Sequence, residues 1–335
     1  MSKTYVRIVC LFTLCFLSMP IEPSACGASA SSSGGYYEMA AWQEGSLGAL
    51  REMVEFPPLP RLSKLRRGCV IDESWLSNPG SISRKRRSVS GRRFKDQGWI
   101  GGICEFSADR LVNFDEKEYE ESRQDPHRKP KRYAISGELR VRICNAPNTE
   151  AALEYLLVDD SLSSMGNIAL AAFYSESNRV EGLGTIGFRE QYRSGNALVM
   201  FVRDNIAVII RARGELASEG LPLAQKIDSA ILGKPALTYE QLLARRPSIT
   251  MAKNAEKVSY GSANIPFEVS PPAAADIVDV KTYVNDKLKR VKDGRIQIDV
   301  KTGAVKAKVT VITSELLRST REFDVVIPEN SSGQD

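Results

Sequence analysis

The chain of 335 residues contains a single histidine, His127, and histidine is the side chain that enzymes use most often for proton transfer near neutral pH. One imidazole cannot supply the several ligands of a histidine-based zinc site, and it argues against a Ser-His-Asp or Cys-His catalytic site. His127 lies in a charged stretch before Pro130, which is typical of an exposed loop. We therefore expect no metal ion and no histidine-based catalysis.

A glycine pattern at residues 182–187 (GLGTIG) matches the G-x-G-x-x-G turn of dinucleotide-binding proteins. That turn needs a buried strand before it and a helix after it, because the phosphates lie at the helix N-terminus. Here polar residues 175–181 precede the pattern, and Phe188 and a hairpin-like segment follow it. The sequence therefore predicts a glycine-rich turn that leads into a strand, and no nucleotide cofactor.

The carboxylates form no recognisable catalytic pair. Asp159 and Asp160 are adjacent at the end of a helix-like pattern, and adjacent residues do not face each other on a helix. No other pair stands out among the 41 acidic residues, and the chain has no P-loop, nucleophile elbow or EF-hand loop. Since catalysis by Asp and Glu leaves no short motif, the sequence identifies no catalytic residue and leaves such an enzyme open.

A cluster of basic residues is the one feature with a direct functional interpretation. Seven cations lie within twelve positions: Arg84, Lys85, Arg86, Arg87, Arg92, Arg93 and Lys95. They could bind anionic lipid headgroups, an acidic polysaccharide or nucleic acid by releasing counterions. Blocks of like charge are also typical of mobile, solvated loops, so a loop that only favours solubility is the simpler interpretation.

The N-terminus carries features of export. Lys3 and Arg7 precede an apolar run of 12 residues, 8–19, that Pro20 interrupts. A membrane-spanning helix needs about 20 apolar residues, whereas a signal peptide needs fewer. We therefore expect residues 1–25 to be a signal peptide and the protein to be extracytoplasmic, where nucleic acid is not an expected partner.

The cysteine at position 26 is the candidate anchor. Small residues flank it in the segment 24–27 (SACG), and a Gly/Ser-rich tract, 28–35, follows. This arrangement resembles a bacterial lipoprotein signal, which implies that Cys26 is lipidated and that residues 26–60 form a flexible tether to a membrane. Pro23, where a leucine is expected, departs from that pattern. Ordinary secretion, with cleavage after an Ala-x-Ala-like site such as residues 28–30, is the alternative.

Three cysteines remain if Cys26 is lipidated: Cys69, Cys104 and Cys144. In an exported protein we expect one disulfide among them, and the sequence does not choose among the three pairings. Buried free thiols are the alternative interpretation.

Residues 61–246 are predicted to form an α+β domain with charged loops. Leu139, Val141 and Ile143 alternate with arginines as in a half-buried strand, and a helix begins at Thr149. Residues 197–210 favour a hairpin, and residues 219–232 a helix. This order is typical of helices packed on an antiparallel sheet. Residues 139–233 also resemble uncharacterised exported bacterial domains, a likeness that implies no activity.

Residues 247–330 change to an all-β pattern. Alternating segments lie at 278–284, 305–311 and 323–327, with turn residues such as Asp293-Gly294 between them. About 80 residues with strands at this spacing predict a β-sandwich. The region resembles the immunoglobulin-like modules of bacterial surface proteins in architecture only, because the Cys-Trp-Cys pattern is missing.

Two functions from different classes follow from these features. The first is a non-catalytic surface protein, held to a membrane by its N-terminal lipid, that binds a partner protein or an anionic envelope polymer. The second is an envelope hydrolase that uses Asp or Glu residues of the α+β domain. A pocket with two carboxylates roughly 5–9.5 Å apart would favour the hydrolase.

Overall fold

A computed structural model describes residues 56, 59–76, 82–91, 101–115, 117–119, 121, 133–157, 174–191, 195–253, 256–259, 262–271, 275–298 and 303–327. All of them belong to one compact unit, residues 45–335. The expected signal peptide and most of the expected tether, including Cys26, lie outside the described residues. Within the described part of the chain, no helix has the length and apolar character needed to span a bilayer.

Six strands form one antiparallel sheet in the order β1-β2-β3-β6-β5-β4. Their bounds are β1 Arg84–Gly91, β2 Gly102–Leu111, β3 Ile135–Asn145, β4 Ile186–Gln191, β5 Asn196–Arg203 and β6 Ile206–Gly214. The predicted hairpin is the β5–β6 pair, and its turn holds Asp204 at a positive φ of 55°. Asn205 fixes this turn from inside, because its amide donates to the carbonyls of Arg66 and Ala146. The hairpin prediction is confirmed.

Helices cover the sheet from both sides, because each has one apolar stripe to bury. Helix α1, Thr149–Leu157, packs beside Cys144 and Met200, whereas α2, Gly220–Leu232, packs on the opposite face beside Val199 and Ile210. A third helix, α3 at Tyr239–Ala244, begins with a capping box between Thr238 and Gln241. The prediction of helices on an antiparallel sheet is therefore confirmed.

The basic segment at residue 84 is a strand and not a loop, so the prediction of a mobile loop is wrong for residues 84–91. Two facts explain the difference. Val89 is buried opposite Cys104 on β2, which gives the strand an apolar contact. Carboxylates also neutralise neighbouring cations, since Asp109 binds Arg84 and Glu73 lies 2.9 Å from the Lys85 ammonium. Opposite charges directly across a sheet stabilise strand pairing.

The C-terminal strands form two antiparallel sheets that share one apolar core. One sheet has the order β11-β10-β14-β15; the other has the order β12-β13-β9-β7, with β8 also paired to β9. The bounds are β7 Ser248–Met251, β8 Glu256–Ser259, β9 Ser262–Ser270, β10 Ile277–Val284, β11 Lys287–Lys289, β12 Val291–Lys292, β13 Arg295–Ile298, β14 Gly303–Thr313 and β15 Arg318–Ile327. In the alternating segment 305–311, the apolar residues Val305, Ala307 and Val309 are buried, as the alternation predicts. The strand predictions for this region are confirmed.

The turn between β14 and β15, residues 314–317, inserts into the six-stranded sheet region, and we call it the hairpin tip. Leu316 is fully buried in the core under β2 and β3, and its carbonyl accepts from Gly102 N at 2.8 Å. Glu315 is buried between the guanidinium groups of Arg67 and Arg245. The two regions that the sequence divides at residue 247 therefore share packed residues within one unit.

Candidate functional site

One half of one sheet face is polar, and its side chains come from three neighbouring strands. Side chains alternate between the two faces of a strand, and the register places residues of β1, β2 and β3 side by side. We call this surface the arginine face. Its members are Arg84, Arg86 and Ser88 of β1, Glu105, Ser107 and Asp109 of β2, and Glu138, Arg140 and Arg142 of β3.

The arginine face is polar because α1 reaches only the other end of the same sheet face. That end carries Ile103, Cys144 and Met200, which are buried with α1. The opposite face of β2 and β3 is mainly apolar, with Phe106 and Val141 buried in the core that α2 covers. At the arginine face Arg86 is exposed, and the side chain of Arg140 is 66% exposed.

These side chains line an open cleft with a volume of about 730 Å³. The four arginine side chains of the arginine face line the cleft against the three carboxylates Glu105, Asp109 and Glu138, whereas the register places Arg87 on the opposite sheet face, opposite Phe106. The side chains that face the cleft therefore carry a net charge of +1 at neutral pH, and the volume lies in the range of small-ligand sites. An anion is the ligand that this charge favours.

Each carboxylate of the cleft binds an arginine. Asp109 accepts from Arg84 Nε at 2.8 Å, and this hydrogen bond raises the pKa of Arg84 above its ordinary value. Glu105 lies 3.0 Å from Arg142 Nε, and Glu138 accepts from Arg140 Nε at 2.6 Å. These pairs fix the carboxylates against their own guanidinium groups and hold the arginines in place along the cleft.

The centre of the cleft, unlike its two ends, contains polar groups that no carboxylate within the described residues binds. Arg86 and Arg140 lie directly opposite Ser107, one on each neighbouring strand. Among the residues that the structure describes, neither the Arg86 guanidinium nor the Ser107 hydroxyl has a hydrogen-bond or ion-pair partner. These two groups are therefore available to a ligand without the loss of an existing contact.

The structure brings only part of the predicted basic cluster to this surface. Arg84 and Arg86 lie on the arginine face, whereas Arg87 lies on the opposite sheet face and Lys85 binds Glu73 at 2.9 Å. Arg92, Arg93 and Lys95 lie outside the described residues.

Seven of the nine members of the arginine face are not identifiable as site residues from the sequence: Ser88, Glu105, Ser107, Asp109, Glu138, Arg140 and Arg142. The alternation around Arg140 and Arg142 does show that both face away from the apolar core. It does not show that their strand lies two places from β1, because strand order and register depend on long-range pairing.

The glycine pattern forms a turn that leads into β4, as predicted. Gly182 and Gly184 have positive φ values of 75° and 69°, a conformation that glycine adopts at low cost. The Gly184 N–H donates to Asp228 Oδ2 at 3.0 Å, and the same carboxylate accepts from Arg203 Nε at 2.6 Å. This N–H is therefore already bound by a carboxylate of the protein.

The three cysteines Cys69, Cys104 and Cys144 are buried free thiols, so the expected disulfide is not formed among them. Burial raises the pKa of Cys69 to about 11 and also raises the pKa of Cys104. Cys69 and Cys104 belong to the core on one side of the six-stranded sheet, and Cys144 belongs to the core on the other side.

The remaining candidates, Cys26, His127, Asp159 and Asp160, lie outside the described residues. Within the described residues, no group of three or more His, Cys, Asp or Glu side chains is arranged to hold a metal ion.

The comparisons with known proteins assign no family. The chain matches no protein-family model, and no curated protein matches it with significant similarity. The function is therefore argued from the geometry of the cleft.

Proposed function

We propose that this protein is a non-catalytic, extracytoplasmic binding protein whose arginine face holds an anionic envelope polymer. The observation that carries the proposal is the surplus of guanidinium groups over carboxylates along one open cleft of the sheet. Arginine suits this role because its planar fork donates two hydrogen bonds to one carboxylate or phosphate group.

The ion pairs of the cleft support binding rather than oppose it. Arg84 and Arg142 are held by Asp109 and Glu105, so a ligand does not have to immobilise these long side chains itself. Arg86 and Ser107 add donors that have no partner within the described residues. Because the surface is solvated, the attraction is screened by salt, and the affinity should fall as ionic strength rises.

The setting of this surface is proposed from the N-terminal sequence. A lipid on Cys26 and the tether 26–60 would hold the binding surface near a membrane, and residues 247–330 would serve as an immunoglobulin-like module. The two C-terminal sheets around one core agree with such a module.

The lipid anchor is tested by the variant Cys26→Ala, which should move the protein from the membrane fraction into the soluble fraction of its host. Continued membrane association would exclude the lipid anchor.

Binding is tested by neutralising the two exposed arginines of the cleft. The double variant Arg86→Gln/Arg140→Gln should lose retention on an immobilised anionic polysaccharide at low salt. Arg290→Gln is the matched control, because Arg290 is exposed and lies between β11 and β12, far along the chain from the cleft. Equal retention of the double variant and the wild-type protein would exclude the arginine face as the binding surface.

The hydrolase remains the alternative because Asp109 and Glu138 lie directly opposite each other on β2 and β3. Directly opposed side chains have Cβ atoms about 4.5–5.5 Å apart, which is compatible with a pair of catalytic carboxylates. Each is bound to an arginine, which leaves it poorly placed to exchange a proton with a substrate. Release of reducing sugar from envelope polysaccharide, abolished in both Asp109→Asn and Glu138→Gln, would establish the hydrolase instead.

A further inference from the structure

We infer that the centre of the cleft, formed by Arg86, Ser107 and Arg140, holds a phosphoryl group. This inference rests on the proposed anion binding and names the chemical class of the anion. We call the three residues the central triad. The shared chemistry is a phosphate ester or anhydride, which a soluble polymer or a lipid headgroup can each supply.

The register places the donors of the triad around one point. Ser107 on β2 lies opposite Arg86 on β1 and opposite Arg140 on β3. Neighbouring strands are about 4.8 Å apart, so the two arginine backbones lie roughly 10 Å apart across the serine. The short serine side chain leaves room between the two long ones, and all three residues line the same cleft.

This arrangement fits a tetrahedral anion better than a planar one. A phosphoryl group presents oxygens in several directions, so it can accept from the Arg86 fork, from Arg140 Nη1 and from the Ser107 hydroxyl beneath it. Meanwhile Arg140 Nε and Nη2 stay bound to Glu138. A carboxylate has two oxygens in one plane, which match a single guanidinium fork. A carboxylate in the same place would leave one arginine or the serine without a partner.

The acidic residues of β2 restrict the anion to the centre. Glu105 and Asp109 lie two residues on either side of Ser107, or about 6.7 Å along the strand. Each is already bound to its own arginine, Arg142 and Arg84, so neither end of the cleft offers an unpaired cation to a second anionic group. We therefore expect one phosphoryl group at the triad, with the rest of the ligand crossing the strands.

The test compares two soluble polymers of equal charge, short-chain polyphosphate and polyglutamate, by fluorescence titration of the full-length protein. Phosphatidylglycerol vesicles form a third arm, which shows whether a lipid headgroup is also a source of the phosphoryl group. Polyphosphate should bind at least ~10-fold more tightly than polyglutamate, because one additional charge-assisted hydrogen bond contributes about that factor.

Three variants test whether the central triad determines the preference for polyphosphate over polyglutamate. Arg86→Lys keeps the charge but loses the planar fork, so it should weaken the binding of both polymers, polyphosphate by ~10-fold, because phosphate and carboxylate both use that fork. Ser107→Ala should weaken polyphosphate binding selectively, by ~3- to 10-fold, because only the tetrahedral anion reaches the hydroxyl as well. Arg290→Gln should change neither affinity. Arg86 is exposed and Ser107 is half-buried without a partner in the described structure, so both variants should retain the fold.

The outcomes separate this inference from the proposed function. Equal affinity for both polymers, with Arg86→Gln weakening both equally, would overturn phosphoryl selectivity and leave anion binding intact. Unchanged polyphosphate binding in Arg86→Lys and Ser107→Ala would also overturn the triad. No binding of polyphosphate, polyglutamate or vesicles by the wild-type protein would overturn the proposed function itself.

Discussion

Replacing Glu315 with glutamine perturbs the contact that fixes the hairpin tip to the six-stranded sheet region. Glu315 accepts from Arg245 Nε and Nη2, each at 3.0 Å, and from Arg67 Nη1. The side chains of Glu315 and Arg67 are each 9% exposed, and that of Arg245 is 28% exposed. Glu315→Gln therefore leaves two guanidinium groups beside an uncharged amide, and the Arg67 guanidinium is almost inaccessible to water.

The expected loss follows from this burial. Removing one partner of a buried ion pair costs about 3–5 kcal/mol, because the remaining charge is left without compensation. Arg245 retains some access to water, which places the estimate near the lower end, at about 3 kcal/mol. For a unit of this size that loss corresponds to a fall of roughly 6–12 °C in Tm.

Thermal and urea unfolding, followed by circular dichroism, measure the effect. Glu322→Gln is the matched control, since Glu322 lies on β15, is 66% exposed and is 3.4 Å from Lys308. An exposed pair contributes less than about 1 kcal/mol, so the control should unfold close to the wild-type protein. If Glu315→Gln and Glu322→Gln unfold at the same temperature and urea concentration, the contact of Glu315 with Arg67 and Arg245 does not fix the hairpin tip, and the reasoning is refuted.

Three further predictions concern packing and titration. Gly68→Ala places a Cβ atom 2.8 Å from Leu316 Cδ1, so it should lower the free energy of unfolding in urea by about 1–3 kcal/mol. Gly233→Ala is the control and should be tolerated, because the nearest atom to its new Cβ, Ser229 O, would be 3.4 Å away. Burial raises the pKa of the Cys69 thiol from 9.0 to about 11. The free energy of unfolding should therefore be constant below pH 9 and fall by about 2 kcal/mol by pH 11, because the unfolded chain loses this proton at lower pH than the folded protein does. Cys69→Ala should reduce this alkaline loss, and an unchanged dependence of stability on pH would contradict the prediction. Asp228→Asn should lower the free energy of unfolding by about 3 kcal/mol, because the buried Asp228 carboxylate binds both the partly buried Arg203 guanidinium and the Gly184 N–H of the glycine-rich turn. A change below about 0.5 kcal/mol in denaturant unfolding would count against this role.

Local patterns predict the elements of this protein well. Alternation around Val141 places β3 with one buried face, and the 3.6-residue period around Ile227 places α2, because both patterns depend only on neighbours in sequence. The strand β1 at Arg84 is not predicted by such local patterns, because its neighbours in sequence are basic. The groups that stabilise it, Asp109 and Cys104, lie on β2 and are distant in sequence.

The candidate site depends on information that no local pattern contains. Arg86 and Arg140 are separated by β2, and only strand order and register bring them to either side of Ser107. Glu315 similarly reads as an ordinary turn residue, since its partners Arg67 and Arg245 lie far away in sequence. Long-range pairing therefore determines both the cleft and the hairpin-tip contact.

The salt dependence of polyphosphate affinity tests anion binding by the arginine face most directly. Each cation that contacts a bound polyanion adds to the slope of log affinity against log salt concentration. The double variant Arg86→Gln/Arg140→Gln should bind more weakly than the wild-type protein and show a slope smaller by about 2, whereas Arg290→Gln should leave both unchanged. An identical slope and affinity in the wild-type protein and the double variant would contradict the account.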